Sequence, residues 1–310
     1  MGWKVVHLTK PCKIKIKSEN LVLYFYEEEQ EVKVTIRDID FILFDNTQFS
    51  ITGKVLELLS KNNIATLFID ENFTPSGIYL PYFQHSTITE IAHTQISITK
   101  EFKEFVWQDI IKSKLLNQAK VLQLCQNKDY TQLKDLVKKV QLYDKNNDEA
   151  QGARIYWKTI FHNPRFRREQ GSEDITNVML NYGYAIVRAS MARCVSASGM
   201  IPIFGVWHQN RYNAFNLVDD LMEPFRAFVD IHIKLLRKEF GNKTFLDVEL
   251  KRRIVALLNF ECVDINGGTM MVSKAIEFFV INYKKAMMND EVSRIKYPTI
   301  NENYFKYECL

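Results

Sequence analysis

Two carboxylates three residues apart, with a histidine a few turns upstream, are the residues of this 310-residue chain best placed to do chemistry. Asp220 and Glu223 stand in Asn216-Leu217-Val218-Asp219-Asp220-Leu221-Met222-Glu223-Pro224-Phe225-Arg226, and His208 in Trp207-His208-Gln209-Asn210-Arg211. Leu217, Leu221, Phe225 and Phe228 recur at helical spacing, which predicts a helix burying that stripe, with Asp220 and Glu223 on a face beside it. Acids at the edge of a core repel each other and lose solvation, so they need a compensating cation or donor. A hard divalent metal held by both acids and the histidine would satisfy all three. Solvated helical acids beside a structural histidine fit the same spacing, and the residues alone leave both readings open.

A third acid stands in an unusual place. In Asp144-Lys145-Asn146-Asn147-Asp148-Glu149-Ala150 a run of capping residues precedes a helical pattern in which Glu149, Ala153, Tyr156 and Ile160 share one face. That aligns a carboxylate with residues that want burial. A first-turn glutamate stabilised by the helix dipole is the competing explanation.

Two kinds of element must position these groups. Residues 3–45 alternate with the two-residue period of half-buried strands, at Lys13-Ile14-Lys15-Ile16-Lys17, Leu21 to Tyr26, Val32 to Ile36 and Phe41 to Phe44, with polar turns at Ser18-Glu19-Asn20 and Glu27 to Glu31. Ser50 or Thr52 can cap a short helix over Val55, Leu58 and Leu59, and Ile64 to Ile69 and Gly77 to Leu80 return to strand. His7 and His85 have no partner at ligand spacing and read as structural. From about Thr87 the period becomes 3.6 and stays so almost to the end, with Phe102, Phe105, Val106, Ile110, Leu115, Leu116, Ala119 and Leu122 marking one long helix or two in sequence. The expected architecture is α+β in two domains: a β-rich, sandwich-like domain over 1–88 and a larger all-α domain over 89–310. The aromatic stripe Phe102, Phe105 and Trp107 reads as core or dimer contact.

Composition sets the outer limits. With 46% hydrophobic and 25% charged residues the chain is an ordinary globular one, long enough for two cores. Five scattered cysteines, Cys12, Cys125, Cys194, Cys262 and Cys309, form no close pair and read as reduced thiols of a cytoplasmic protein. The longest uncharged stretches are polar and broken by prolines, so no membrane segment is expected. The net charge of +4 is uneven: residues 1–90 carry nine Lys and Arg against twelve Asp and Glu, a balance of −3, which leaves +7 for the remainder. Basic surface around an acidic metal site suits an enzyme acting on a polyanion.

Four motifs then occur in order: Asp148-Glu149-Ala150 with Ala153-Arg154-Ile155-Tyr156-Trp157; Phe166-Arg167-Arg168 with Asn177-Val178-Met179-Leu180-Asn181-Tyr182-Gly183-Tyr184; His208; and Asp220-Leu221-Met222-Glu223-Pro224-Phe225-Arg226. Together they resemble the CRISPR spacer-acquisition integrases, in particular the subgroup found beside the large single-protein RNA-guided nuclease. The resemblance implies a Mg²⁺ or Mn²⁺ site made of Glu149, His208 and Glu223, with Asp220 as an auxiliary catalytic acid and Asp219 solvated. It implies a metal-dependent DNA endonuclease and integrase that inserts short DNA fragments into a repeat array by attack of a 3′-hydroxyl on a phosphodiester. Arg211 and Arg226 are expected at phosphates beside the scissile one, and Arg165, Arg167, Arg168, Lys251, Arg252 and Arg253 in outer basic clusters, for which solvated helix faces are an equal reading. Asn177, Asn181, Tyr182 and Tyr184 read as buried hydrogen-bonding groups, and Cys194, Ser196 and Ser198 as packing residues. The implied partners are double-stranded DNA (fragment and repeat), a second copy of the chain, the small companion protein of the acquisition complex and, as a further candidate, the large effector nuclease. A non-catalytic DNA-binding scaffold and a general nuclease are the alternatives.

Overall fold

In the computed structural model, which describes residues 2, 4–70, 75–81, 85–161, 163, 166–169 and 171–309, strands come first and helices follow. The alternating segments form β1 (Lys4–Leu8), β2 (Cys12–Lys17), β3 (Asn20–Phe25), β4 (Gln30–Thr35), β5 (Ile39–Phe44) and β6 (Phe49–Ile51), followed by α1 (Gly53–Lys61), β7 (Ala65–Ile69) and β8 (Pro75–Tyr79). Ser18 and Glu19, both at positive φ (49° and 60°), make the two-residue turn between β2 and β3. This backbone twist matches that of the flanking strands. One sheet has the order β4-β3-β2-β6 and the other β1-β5-β7-β8, the second parallel except at β8.

The two sheets close on a shared core of Cys12, Ile14, Leu21 and Leu23 from one and Val6, Leu8, Ile42 and Phe44 from the other, capped by Val55 and Leu59 of α1. The other face of β5 turns Phe41 and Leu43 into the helical core. All six β5 residues are therefore buried, where the sequence pattern suggested a half-buried strand. Strands with parallel neighbours and cover on both faces lose the in–out alternation that exposes one side to water.

The helical part comprises α2 (Ile88–Ser97), α3 (Lys100–Leu124), α4 (Tyr130–Lys139), α5 (Asp148–Thr159), α6 (Ile175–Ala197), α7 (Asn216–Met222), α8 (Arg226–Glu239), α9 (Val248–Val255), α10 (Val272–Asn289) and α11 (Glu302–Cys309). Residues 100–124 are one helix of 25 residues, started by Thr99, whose Oγ1 accepts the Phe102 N–H at 3.1 Å. Phe102 and Trp107 are buried in it and Phe105 is exposed. The single helix read over 216–228 is interrupted by a 3₁₀ turn at Glu223–Phe225, because Pro224 has no N–H for the ladder. The helical period also gives way to a small antiparallel sheet of β9 (Val263–Ile265), β10 (Gly268–Met270) and β11 (Thr299–Ile300). Asn266-Gly267, at φ 51° and 79°, is its hairpin turn. Among the described residues no helix is long and apolar enough to cross a membrane.

Buried polar groups tie the strands to the helices. Asp45, just after β5, accepts from His7 Nε2 at 3.0 Å, Lys251 Nζ of α9 at 2.8 Å and Tyr182 OH of α6 at 3.2 Å. Asp40 pairs with Arg193 of α6 at 2.8 Å, both nearly inaccessible. His7 thus has a structural partner, and Lys251 belongs to the interior. The expectation that Lys251 lies in an outer basic cluster is corrected: its side chain is 8% exposed, and a cation so buried is retained only against an anion such as Asp45.

Candidate active site

Glu149 lies in the first turn of α5, where the Asp144 carboxylate caps the helix by accepting the N–H groups of Asp148 (2.7 Å) and Glu149 (3.1 Å). Glu223 opens the 3₁₀ turn after α7, and this turn is pinned from α3, where Asn117 Nδ2 donates to the Pro224 carbonyl at 2.9 Å. Between the two acids stands Lys114 of α3. Its Nζ is 2.5 Å from Glu149 Oε1 and 2.6 Å from Glu223 Oε2. Arg226 flanks the other side of Glu223, with Nε 2.8 Å from Oε1. Burial alone would push the Glu223 carboxyl up, but Arg226 and Lys114 outweigh it and hold the group at about 2. Burial likewise works against the Lys114 charge, and Glu223 and Glu149 overcome it, so its pKa is raised.

His208 is set by Asp220. The Asp220 carboxylate, fully buried on α7, accepts the Trp207 N–H at 2.9 Å and lies 2.5 Å from His208 Nδ1. An anion on Nδ1 fixes the proton there and leaves Nε2 as the acceptor, the usual way a carboxylate orients a ligating imidazole. The Asp220 hydrogen bond raises the His208 pKa against the effect of burial, and Glu223 and Glu149 add to the rise from across the site. Trp207 stacks on Trp107 (5.6 Å between centroids, 8° between planes), which packs edge-on against the His208 ring at 5.5 Å. Gly205 is required where this loop folds back, because a Cβ there would fall 2.3 Å from the His208 carbonyl oxygen. Asp220 therefore orients the His208 ring and its loop. The residue expected as an auxiliary catalytic acid is thus fully buried, with its carboxylate given to the Trp207 and His208 N–H groups and to the His208 ring.

Among the described residues no three His, Cys, Asp or Glu side chains gather closely enough to share an ion. The sequence reading brought Glu149, His208 and Glu223 to one cation; in the structure the two glutamates close on an ammonium, and the histidine is turned toward Asp220. The donor set still suits a metal. Glu223 Oε2 is buried and, although near Lys114 Nζ, has no well-directed hydrogen-bond donor. Glu149 and His208 keep side-chain exposures of 32% and 47%, which leaves a route in from solvent. Two carboxylates and one imidazole match Mg²⁺ or Mn²⁺ with coordination positions left over for water and phosphate.

The remaining predicted residues divide. Arg211 is exposed beside Tyr212, with its guanidinium 4.6 Å from the ring, and Arg252 is exposed on α9. Arg226 is at the site but committed to Glu223, and lies 4.9 Å from the Tyr184 ring. Arg168, expected on an outer cluster, is turned inward: it donates to Asn177 Oδ1 at 3.1 Å and Asn181 Oδ1 at 2.5 Å and sits over Tyr184. Both asparagines are thus occupied as hydrogen-bonding groups, Asn177 buried and Asn181 partly buried, and Tyr184 donates to the buried Asp230. Arg167 Nη1 donates to the Phe166 carbonyl, Arg253 pairs with Glu239, and Arg165 lies outside the described residues. Asp219, read as solvated, instead takes Arg188 on both oxygens (2.5 and 3.0 Å) and so braces the loop before α7. Cys194 is buried, and burial pushes its thiol up to about 11, away from the thiolate a nucleophile needs.

Residues 6–249 match the family model described as CRISPR associated protein Cas1. The chain belongs to the Cas1 family. A CRISPR-associated endonuclease Cas1 from Neisseria meningitidis serogroup C (strain 8013) is 29% identical over 301 residues, 97% of each chain. A casposase bound to integration product superposes with a TM-score of 0.76 at 22% identity, covering 93% of this chain and 91% of that one. A Cas6-RT-Cas1–Cas2 complex gives 0.75 at 18% identity, covering 94% of this chain and 36% of that one. At such identities the two structures establish a shared fold.

In this Cas1-family chain, Lys114 and Asn117 are the site residues that sequence reasoning missed. The signal was present: Ser113, Lys114, Asn117 and Gln118 form a polar stripe at helical spacing within α3, and all four are buried. Polar side chains repeated on a buried face require partners, and for Lys114 and Asn117 these include Glu149 and the Glu223–Pro224 turn.

Proposed function

We propose that the chain is a metal-dependent DNA endonuclease and integrase of CRISPR adaptation, which joins a DNA 3′-hydroxyl to a phosphodiester of the repeat. The observation that carries this reading is the pair of glutamates, from separate helices, closed on a single cationic group beside a histidine oriented by a buried carboxylate. Glu149, Glu223 and Nε2 of His208 would hold the ion. When bound, a divalent ion lowers the pKa of the attacking hydroxyl and neutralises charge developing on the phosphoryl and leaving oxygens. Asp220 holds the ring proton at Nδ1 and so keeps Nε2 aimed, and the Trp107–Trp207 stack holds the loop that carries it. Arg226 balances the charge of Glu223, and exposed Arg211 and Arg252 supply phosphate contacts that position DNA without reading its sequence. No protein nucleophile is required.

The casposase and Cas1–Cas2 neighbours support an integration reaction on DNA, with a small companion protein as partner. In this reading residues 1–88 are the dimerisation domain and 89–310 the catalytic domain, two dimers are bridged by the companion, and the assembly works in the cytoplasm where the array resides. A non-catalytic DNA-binding scaffold draws on the same Lys114 ion pairs, taken as permanent. A strand-transfer assay separates the two: wild-type protein with Mn²⁺ joins a 3′-hydroxyl fragment to a repeat-bearing plasmid, and Glu149→Ala and His208→Ala proteins do not. Equal joining by these variants would overturn the active-site assignment, and binding without joining by the wild type under any metal would leave the scaffold.

A further inference from the structure

We propose that Lys114 is the resident cation of the metal-free site, so that metal loading is an exchange in which the divalent ion displaces this ammonium. The inference rests on the metal-site reading above and concerns how that site is filled. Glu149 and Glu223 reach the same Nζ from different helices, at 2.5 and 2.6 Å, and Lys114 is itself buried on α3. Without a cation between them, two carboxylates, one of them deeply buried, would repel across a poorly solvated gap. The lysine holds them at close spacing before any metal arrives.

Charge balance argues against simple addition. Glu149 and Glu223 carry −2, and Lys114 with Arg226 carries +2, so the cluster is neutral as it stands. A divalent ion added to this set would face two fixed cations, whereas an ion that displaces the ammonium inherits both carboxylates. Arg226 cannot be the group that leaves so readily, because its guanidinium is also packed on Tyr184. Lys114 has a flexible four-carbon stem, and an ammonium is bound as a point charge rather than as a planar fork. The lysine therefore works as a gate on occupancy: the metal binds with its intrinsic affinity only in the fraction of molecules whose ammonium has moved aside, and apparent affinity falls by that fraction.

The test is Mn²⁺ binding to the full chain, followed by electron paramagnetic resonance, with thermal melts of metal-free protein alongside. Lys114→Met removes the competitor and keeps most of the side-chain volume. Its Mn²⁺ dissociation constant is expected to fall about tenfold or more, and its metal-free form to melt lower than wild type, with the gap narrowing on Mn²⁺ saturation. Unchanged affinity in a folded Lys114→Met protein overturns the exchange. Glu149→Gln and Glu223→Gln proteins separate metal binding from the exchange. If both bind Mn²⁺ as wild type does, the metal-site reading fails. If both lose Mn²⁺ while Lys114→Met binds as wild type does, that reading stands and the exchange falls. Should Lys114→Met not fold, acetic anhydride labelling of wild-type protein with mass-spectrometric readout decides: saturating Mg²⁺ is expected to raise acetylation of Lys114 relative to the other lysines, and no change refutes the proposal.

Discussion

Replacing Asp220 with asparagine should loosen the hold on the histidine while leaving the shape of the loop nearly intact. Asp220 spends one oxygen on His208 Nδ1 at 2.5 Å and the other on the Trp207 N–H at 2.9 Å. An amide can accept only through its single oxygen, and its NH₂ then faces a donor on the other side. A charge-assisted hydrogen bond gives way to a neutral one, a loss of roughly 1–2 kcal/mol. Outer partners of metal ligands change affinity about 10–100-fold when mutated. The assay is strand transfer titrated with Mn²⁺, and the half-saturating concentration should rise about 10–100-fold, with the rate partly restored at high Mn²⁺. A second readout follows from protonation. The Asp220 hydrogen bond raises the His208 pKa, so protons compete for the ring up to a higher pH in the wild type. Without that bond the competition ends at lower pH, and the acid limb of the rate profile should shift downward. A half-saturation point within about twofold of wild type and an unmoved acid limb would refute the claim that Asp220 acts through His208.

Three further outcomes follow. Gly205→Ala places a Cβ 2.3 Å from the His208 carbonyl oxygen and 2.9 Å from Asp220 Oδ2, so the loop must shift at a cost of about 1–3 kcal/mol; strand transfer should fall at least about tenfold, and wild-type rates would contradict the placement of the loop. Lys251→Met leaves Asp45 without its buried cation and should cost about 3–5 kcal/mol in urea unfolding; weakened DNA binding at unchanged stability would return Lys251 to the surface. Burial raises the Asp230 carboxyl to about 7, so between its unfolded value of about 4 and 7 the native state holds the extra proton, and stability declines as pH rises through that window by up to about 4 kcal/mol. Asp230→Asn stays neutral and should melt higher than wild type at pH 8 but not at pH 4.5, and an equal difference at both would show that Asp230 does not titrate this way.

The sequence was most readable where one period ran undisturbed. Lys13 to Lys17 alternates because one face of β2 meets solvent, and α3 shows its turns because Phe102, Val106, Ile110 and Ala119 all seek one core. It was least readable where a residue answers to something distant. β5 looks half-buried because burial on its second face comes from helices far along the chain, and the Glu223 turn looks helical until Pro224 is followed through the backbone. The Asn266-Gly267 hairpin was available as a local turn signal that a long run of helical periodicity overshadowed. In the site, Glu149 stood out in line with an apolar face, Glu223 beside another, and His208 as a histidine a few turns upstream of the second. What spacing could not carry was Lys114, whose meaning depends on two acids from other helices, or the division of labour by which Asp220 serves His208 while Asp219 serves Arg188.

The central claim is that Glu149, Glu223 and His208 take one divalent ion together. Anomalous scattering from crystals of the full chain equilibrated with Mn²⁺ addresses it directly. A single strong peak is expected, bounded by the two glutamate carboxylates and His208 Nε2, with the Lys114 ammonium moved away from its position between the acids. Mn²⁺ found at other residues, with Lys114 still bridging Glu149 and Glu223 in protein that carries out strand transfer, would contradict it.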